Sequence, residues 1–157
     1  MLQDLVIRLD TITDPAVVAF LGEHLAQMRT ITSCAESMHA LDVDELRAPE
    51  VTMWTMWSGD EVVASGALKD LGDGHGELKS MRTAPQHTRR GLASKMLAHI
   101  LFEAEQRGFQ RVSLETGAED FFAPARKLYA ANGFTECEPF GSYVPDSNSV
   151  FFTRALT

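Results

Sequence analysis

The segment Thr-Arg-Arg-Gly-Leu-Ala-Ser-Lys at residues 88–95 separates two patterned stretches and decides the fold. Residues 77–83 before it alternate like a β-strand, whereas apolar side chains after it recur at helical spacing. The first N–H groups of a helix lack internal partners, and the helix dipole places partial positive charge there. Gly91 permits close approach to the backbone, and Arg89 and Arg90 supply forked cationic donors. The junction therefore predicts a phosphate or diphosphate site, although turn geometry and solubility alone also explain its composition.

The composition is typical of a soluble globular chain. Its 157 residues favour a single domain, residues 1–157, and suffice to bury a core. Hydrophobic residues make up 45% and charged residues 23%, and the net charge is −8. Because nucleic-acid binding needs a basic face, this charge argues against a nucleic-acid partner. An acidic surface also favours an amine-bearing substrate, although solubility is the simpler explanation.

Cysteine usage and the N-terminal segment predict a cytoplasmic protein without a metal or a membrane partner. Cys34 and Cys137 are far apart, and neither has CxxC or Cys/His metal-binding spacing. Idle thiols are the default in a reducing cytoplasm. Residues 1–5 show no basic region before an apolar run, so no signal peptide is expected. No apolar run is long enough to span a bilayer.

Periodicity along the chain predicts the element order β-α-α-β-β-β-α-β-α-β-β. This order indicates an α+β, or mixed α/β, fold with one central sheet. The strand–helix–strand unit after the basic loop implies one local parallel strand pair. The predicted strands cover residues 5–10, 51–57, 61–68, 75–83, 109–116, 134–137 and 150–156. The predicted helices cover residues 15–29, one or two short helices within 30–49, and residues 91–107 and 121–132.

Two motifs together resemble the GNAT superfamily of acyl-CoA-dependent N-acetyltransferases. The family carries Gln/Arg-x-x-Gly-x-Gly/Ala between a central strand and a helix. Residues 91–93, Gly-Leu-Ala, match its second half, whereas Thr88 stands where the family has Gln or Arg. Residues 125–134 match a second family segment in which Leu-Tyr precedes Gly-Phe at the same spacing. The resemblance runs from about Leu5 to Leu156 and extends to a bacterial subgroup of small GNAT proteins with unassigned acceptors.

The resemblance implies the GNAT fold and acetyl-CoA as cosubstrate. In this fold the sheet is mostly antiparallel, its fourth and fifth strands are parallel, and helices flank it. The cosubstrate's pantetheine arm would lie along Met81, Arg82 and Thr83, with a main-chain N–H near Met81 polarising the thioester oxygen. Asn132 is a further cofactor contact, or simply a helix-terminal Asn before Gly. The diphosphate would be held by Arg89, Arg90, Gly91, Leu92, Ala93 and Ser94.

The resemblance also suggests the catalytic residues. Tyr129 matches a tyrosine that serves as general acid toward the departing thiolate; the alternative is an aromatic packed in the core. Glu77 stands where many members place a base, or else is an exposed glutamate at a strand end. By strand parity Lys79 would share one sheet face with Glu77 and Met81, pairing either a substrate carboxylate or Glu77.

The acceptor is the least determined part of the prediction. In the family the region from residue 30 to 49 forms a variable wall of the acceptor site, so Glu36 and His39 are candidate contacts; a solvated helix surface is the alternative. We expect acetyl transfer to a small-molecule or amino-acid-like amine. The alternative acceptors are a protein N-terminus or a lysine. The alternative function is a regulatory module that binds acyl-CoA without catalysis. The oligomeric state is undetermined by the sequence, and a homodimer is one option.

Overall fold

A computed structural model describes residues 4–31, 43–88 and 90–156. The candidates Glu36, His39 and Arg89, and the first of the short helices expected between residues 30 and 49, lie outside these ranges. The strands are β1 Leu5–Asp10, β2 Val51–Ser58, β3 Glu61–Gly72, β4 His75–Thr83, β5 Arg111–Gly117, β6 Thr135–Glu136 and β7 Ser149–Ala155. The α-helices are α1 Pro15–Ile31, α2 Val43–Leu46, α3 Leu92–Gln106 and α4 Ala123–Ala131, and short 3₁₀ turns occupy Pro85–His87 and Asp120–Phe122.

The strands form one sheet in the order β1-β2-β3-β4-β5-β7-β6. Among the strands of the described ranges, only the β4–β5 pair is parallel, and the other neighbours are antiparallel. A parallel pair needs a long crossover, which α3 supplies between β4 and β5. The predicted fold class, a mostly antiparallel sheet with a parallel fourth and fifth strand, is therefore confirmed.

Each face of the sheet carries its own apolar cluster. On one face, α3 buries Met96, Leu97 and Ile100 against strand residues that include Trp54 and Leu114. The other face packs against α1 and α2 through a second cluster that includes Ile12, Val17, Phe20, Leu21, Leu46, Met53 and Trp57. On the helices these apolar positions recur every three or four residues, and on the strands every two. Each segment therefore presents one apolar face, and the helices pack these faces against the sheet.

A β-bulge in β4 changes which side chains share a face. Ser80 has a φ of 55°, and the register with β3 shifts between Ser65 and Ala67. The extra residue in β4 places Met81 against the α3 cluster, whereas Arg82 reaches α1 on the opposite face. The prediction that Met81 shares the face of Lys79 is therefore wrong, because a bulge interrupts the alternation on which it rests.

The boundaries at the ends of α3 and α4 also differ from the periodicity. Phe109 was expected to begin a strand, but its N–H donates to Ala104 O at 3.0 Å and closes α3, so β5 begins at Arg111. Residues 120–122 form a 3₁₀ turn, so α4 is shorter than predicted at its start. The first difference arises because the hydrogen bonds of a helix end extend beyond the last periodic residue. The second arises because a 3₁₀ turn precedes Ala123.

Candidate active site

The N-terminus of α3 offers main-chain donors to an anionic ligand. The N-cap residue Gly91 has a φ of 78°, no side chain caps the helix, and the first turn contains no acidic residue. Gly91 is exposed, and a Cβ built there would meet nothing within 4 Å. Leu92 is buried and anchors the first turn, while Arg90 and Ser94 are exposed beside it. The arrangement fits a diphosphate group at the end of the helix dipole.

Beside this helix end, β4 and β5 separate. They pair only from His75 with Arg111 to Leu78 with Leu114. Beyond that point β4 continues along β3 to Thr83, and β5 continues along β7 to Gly117. Residues 79–83 consequently have no β5 partner, which leaves one edge of β4 for an extended ligand that hydrogen-bonds like an added strand.

Glu77 and Lys79 form a buried charged pair near this separation. Glu77 is 4% exposed, so the alternative of an exposed glutamate at a strand end is wrong. Lys79 Nζ lies 3.1 Å from Glu77 Oε2, and their side chains are 9% and 5% exposed. The expectation that the two side chains share a face is confirmed, and of the two partners open to Lys79 the structure shows Glu77.

Tyr143 completes this pair and was not found from the sequence. Its hydroxyl donates to Glu77 Oε2 at 2.5 Å and accepts from Lys79 Nζ at 2.9 Å. Its ring packs against Phe140 and Phe151. Burial, together with the negative charge of Glu77, raises the pKa of the hydroxyl, so Tyr143 stays protonated. The only available signal was an aromatic pair within a loop rich in proline and glycine.

Arg82 lies on the same face as Glu77 and Lys79, further along β4. Its side chain is 5% exposed, its Nη1 donates to Gln27 Oε1 at 3.1 Å, and its guanidinium stacks on Phe20 with a ring distance of 4.9 Å. The prediction assigned Arg82 to the pantetheine arm through its main chain. That main-chain assignment stays a prediction. The Arg82 side chain contacts α1, on the sheet face opposite to Met81.

His24 on α1 is a second residue that the sequence did not indicate. Burial and the charge of Arg82 lower the pKa of its imidazole to about 4. The ring is therefore neutral at physiological pH and adds no positive charge beside Arg82. Nothing in the spacing of the histidines distinguishes it, since its environment depends on a strand 58 residues away in the chain.

Tyr129 and Asn132 occupy the last turns of α4. Tyr129 is 6% exposed, and its ring packs against Phe134 and Phe152. Burial raises the pKa of its hydroxyl, which keeps the proton that a general acid must donate. Asn132 Nδ2 donates to Leu128 O at 2.8 Å, a helix-terminal bond of the kind expected as the alternative to a cofactor contact. Their roles toward a cofactor remain predictions.

The carboxylate of Glu115 on β5 also acts on this site. Glu115 accepts a hydrogen bond from Ser149 Oγ at 2.7 Å, and its charge contributes to the raised pKa of Tyr143. Within residues 4–31, 43–88 and 90–156, no group of three metal-binding side chains comes together. In the same ranges, no helix is long and apolar enough to cross a membrane.

Comparisons with known proteins agree with this geometry. Residues 20–134 match the sequence model of the Acetyltransferase (GNAT) family. The uncharacterized N-acetyltransferase YsnE from Bacillus subtilis (strain 168) is 52% identical over 150 residues, covering 96% of this chain and 99% of the relative. A solved structure assigned to the acyl-CoA N-acyltransferases, from Klebsiella pneumoniae, has a TM-score of 0.82 at 29% identity and covers 98% of each chain. An N-acetyltransferase from Thermoplasma acidophilum, solved in complex with coenzyme A, shares the fold, with a TM-score of 0.74 at 12% identity over 98% of this chain and 100% of its own.

Proposed function

Because the chain belongs to the GNAT acetyltransferase family, we propose that it acetylates the amine of a small-molecule or amino-acid-like acceptor in a ternary complex. Membership makes the chain an acetyl-CoA-dependent acyltransferase, and the kind of acceptor is the proposed part. The acetyl-CoA site of this proposal is supported by the separation of β4 and β5 beside the uncapped N-terminus of α3. A bacterial cytoplasm, where free thiols such as Cys137 persist, is the proposed setting.

The cosubstrate would bind across two neighbouring features. Main-chain N–H groups of Leu92, Ala93 and Ser94, with Arg90 nearby, would hold the diphosphate. The pantetheine arm would then lie along the free edge of β4 at residues 81–83. In the reaction the amine nitrogen attacks the thioester carbonyl, a C–N bond replaces the C–S bond, and the sulfur leaves as thiolate. A main-chain N–H near Met81, next to the bulge at Ser80, would donate to the carbonyl oxygen.

Two side chains are proposed to move the protons. Tyr129 would protonate the departing thiolate, because its hydroxyl carries a proton at neutral pH. Glu77 would accept the amine proton, directly or through a water molecule. Its Oε2 accepts from both Lys79 and Tyr143, so the carboxylate is held in one orientation at the acceptor face.

The catalytic assignment is tested by following the release of free CoA thiol over an acceptor panel. We expect Tyr129→Phe and Glu77→Gln to keep affinity for CoA and to lower kcat by about 10²–10⁴-fold. Glu105→Gln, an exposed change on α3, is the matched control and should leave kcat unchanged. Urea unfolding of each variant separates a catalytic loss from a folding defect. Parent-like turnover in either variant would remove that residue from the mechanism.

The cosubstrate site is tested separately by calorimetry with CoA. Replacing both Arg89 and Arg90 with alanine removes two cationic side chains that directly precede Gly91 in the sequence, so CoA should bind at least tenfold more weakly. Arg107→Ala, at the other end of α3, supplies the control. Unchanged CoA affinity in the double variant would contradict the proposed diphosphate site.

A further inference from the structure

Arg82 is an unusual charge for the interior of this protein. Among the residues that the structure describes, Glu77 and Arg82 are the two charged residues in the buried class. Glu77 has Lys79 and Tyr143 as close partners. The nearest described carboxylate to Arg82 is that of Glu23, whose Oε2 lies 4.0 Å from Nη2 and whose side chain is 73% exposed. Buried charges are normally paired at close range. Among the described residues, Arg82 has no such close counterion.

The unsatisfied donors lie on one edge of the guanidinium. The Nε and Nη2 groups point side by side, and a carboxylate can accept two parallel hydrogen bonds from them. Nε is buried and has no hydrogen-bond partner among the described residues. Nη2 has only the distant Glu23, while Gln27 is bound to Nη1. The edge that suits a carboxylate is therefore the one without a close partner.

Residues that contact Arg82 border an open cleft, although Arg82 itself does not line it. Phe20 and Glu23, both in contact with Arg82, help to line an open cleft of about 320 Å³. The 4.0 Å pair with the exposed Glu23 contributes little, so a ligand carboxylate can replace it. Arg82 shares the face of β4 with Glu77, the proposed base for the acceptor amine.

From this geometry we propose that Arg82 is the acceptor-specificity residue and binds a carboxylate close to the acceptor's reacting amine, which makes the acceptor a free amino acid. This inference rests on the proposed acetyl transfer and deepens it. Gln27 orients the guanidinium from Nη1, Phe20 stacks on its face, and neutral His24 avoids adding a second charge. The acceptor carboxylate then supplies the missing counterion in the ternary complex.

The test compares amino acids with their amides, which keep the amine and the side chain but lose the anionic group. The panel is the set of common amino acids and the matching amino-acid amides, assayed by release of CoA thiol. We expect the parent to have a higher kcat/KM for the acid than for its amide. Arg82→Gln should lower the ratio of these two kcat/KM values by at least about thirtyfold, because removing one partner of a desolvated charge pair costs much of the binding energy. Arg82→Lys should recover part of the ratio, because the charge remains but the fork does not.

Arg107→Gln is the matched control, because Arg107 is an exposed arginine that follows the C-terminal end of α3, and its replacement should leave the ratio unchanged. A binding measurement gives a readout that does not need turnover. In the presence of CoA, N-acetylamino acids should bind to the parent and their amides should bind at least tenfold more weakly, and this difference should vanish in Arg82→Gln.

Several outcomes would overturn the inference. Amides that are acetylated as well as acids, with the ratio unchanged in Arg82→Gln, would show acetyl transfer without carboxylate recognition. Loss of stability in Arg82→Gln at an unchanged ratio would show that the chain itself supplies the counterion. Failure of the proposed function gives a different result, because no amine on the panel would be acetylated. In that case the binding measurement still tests the inference. Equal affinity for N-acetylamino acids and their amides would overturn it.

Discussion

His24 should make the stability of this protein fall as the solution becomes acidic. In the folded protein, burial and Arg82 lower the pKa of its imidazole from the ordinary value of 6.5 to about 4. The unfolded chain therefore takes up a proton near pH 6.5, whereas the folded chain resists it until about pH 4. At about 1.4 kcal/mol per pH unit, protonation of the unfolded state lowers the free energy of unfolding by about 3 kcal/mol. This contribution is fully present above pH 6.5 and is lost as pH falls toward 4.

The measurement is urea unfolding followed by tryptophan fluorescence, since Trp54 and Trp57 are both buried. Parent and His24→Gln are compared at half-unit steps from pH 7.5 to 4.0. The difference in free energy of unfolding between them should change by about 3 kcal/mol across this range, because other titrating groups are common to both. Arg82→Gln should keep most of the slope, because burial is a larger cause of the lowered pKa than the charge of Arg82.

Direct titration provides an independent check. NMR resonances of the His24 ring should show a neutral imidazole at pH 5.5 in the folded protein. A midpoint near 6.5, or a parent–variant stability difference that is flat with pH, would refute the argument. Either result would mean that water reaches the ring and that Arg82 does not act on it.

Three further substitutions probe the core, the bulge and the helix start, each by urea unfolding with one added readout. Ile100→Ala removes a side chain that is 0% exposed and should cost about 2–5 kcal/mol, and a smaller loss would mean that the core collapses around it. Gly66→Ala would bring a Cβ within 2.5 Å of Ile100 Cδ1 and 2.7 Å of Met81 Sδ, so stability should fall and the KM for acetyl-CoA should rise; a silent change would contradict the tight packing across the bulge. Gly91→Ala should cost about 1 kcal/mol through its φ of 78°, with Gly91→Asn milder, and equal costs would argue against a left-handed conformation there.

The elements could be predicted because their signals are local. Apolar side chains at three- and four-residue spacing identified α3, and alternation identified β4, within a few residues of their observed bounds. The parallel strand pair followed from the strand–helix–strand order, because such a crossover has few geometric solutions. The candidate diphosphate site followed for the same reason, since it consists of consecutive residues at the start of one helix.

The face of Met81 could not be predicted in the same way. Strand parity assumes an uninterrupted alternation, and the Ser80 bulge adds one residue to β4. Whether such a bulge forms depends on the partner strand, where Gly66 leaves room for Met81 and Ile100. The pairing register of β3 and β4 thus determines which residues of β4 face α1.

The sequence by itself determined the order of strands and helices, the family motifs and the residues at the start of α3, because each depends on neighbours within a few positions. Only the tertiary structure decided which charges are buried and what they contact. Tyr143 meets Glu77 across 66 residues, and Gln27 meets Arg82 across 55. The physical reason is that burial and ion pairing depend on how distant segments pack together, and no local pattern in the chain encodes that packing.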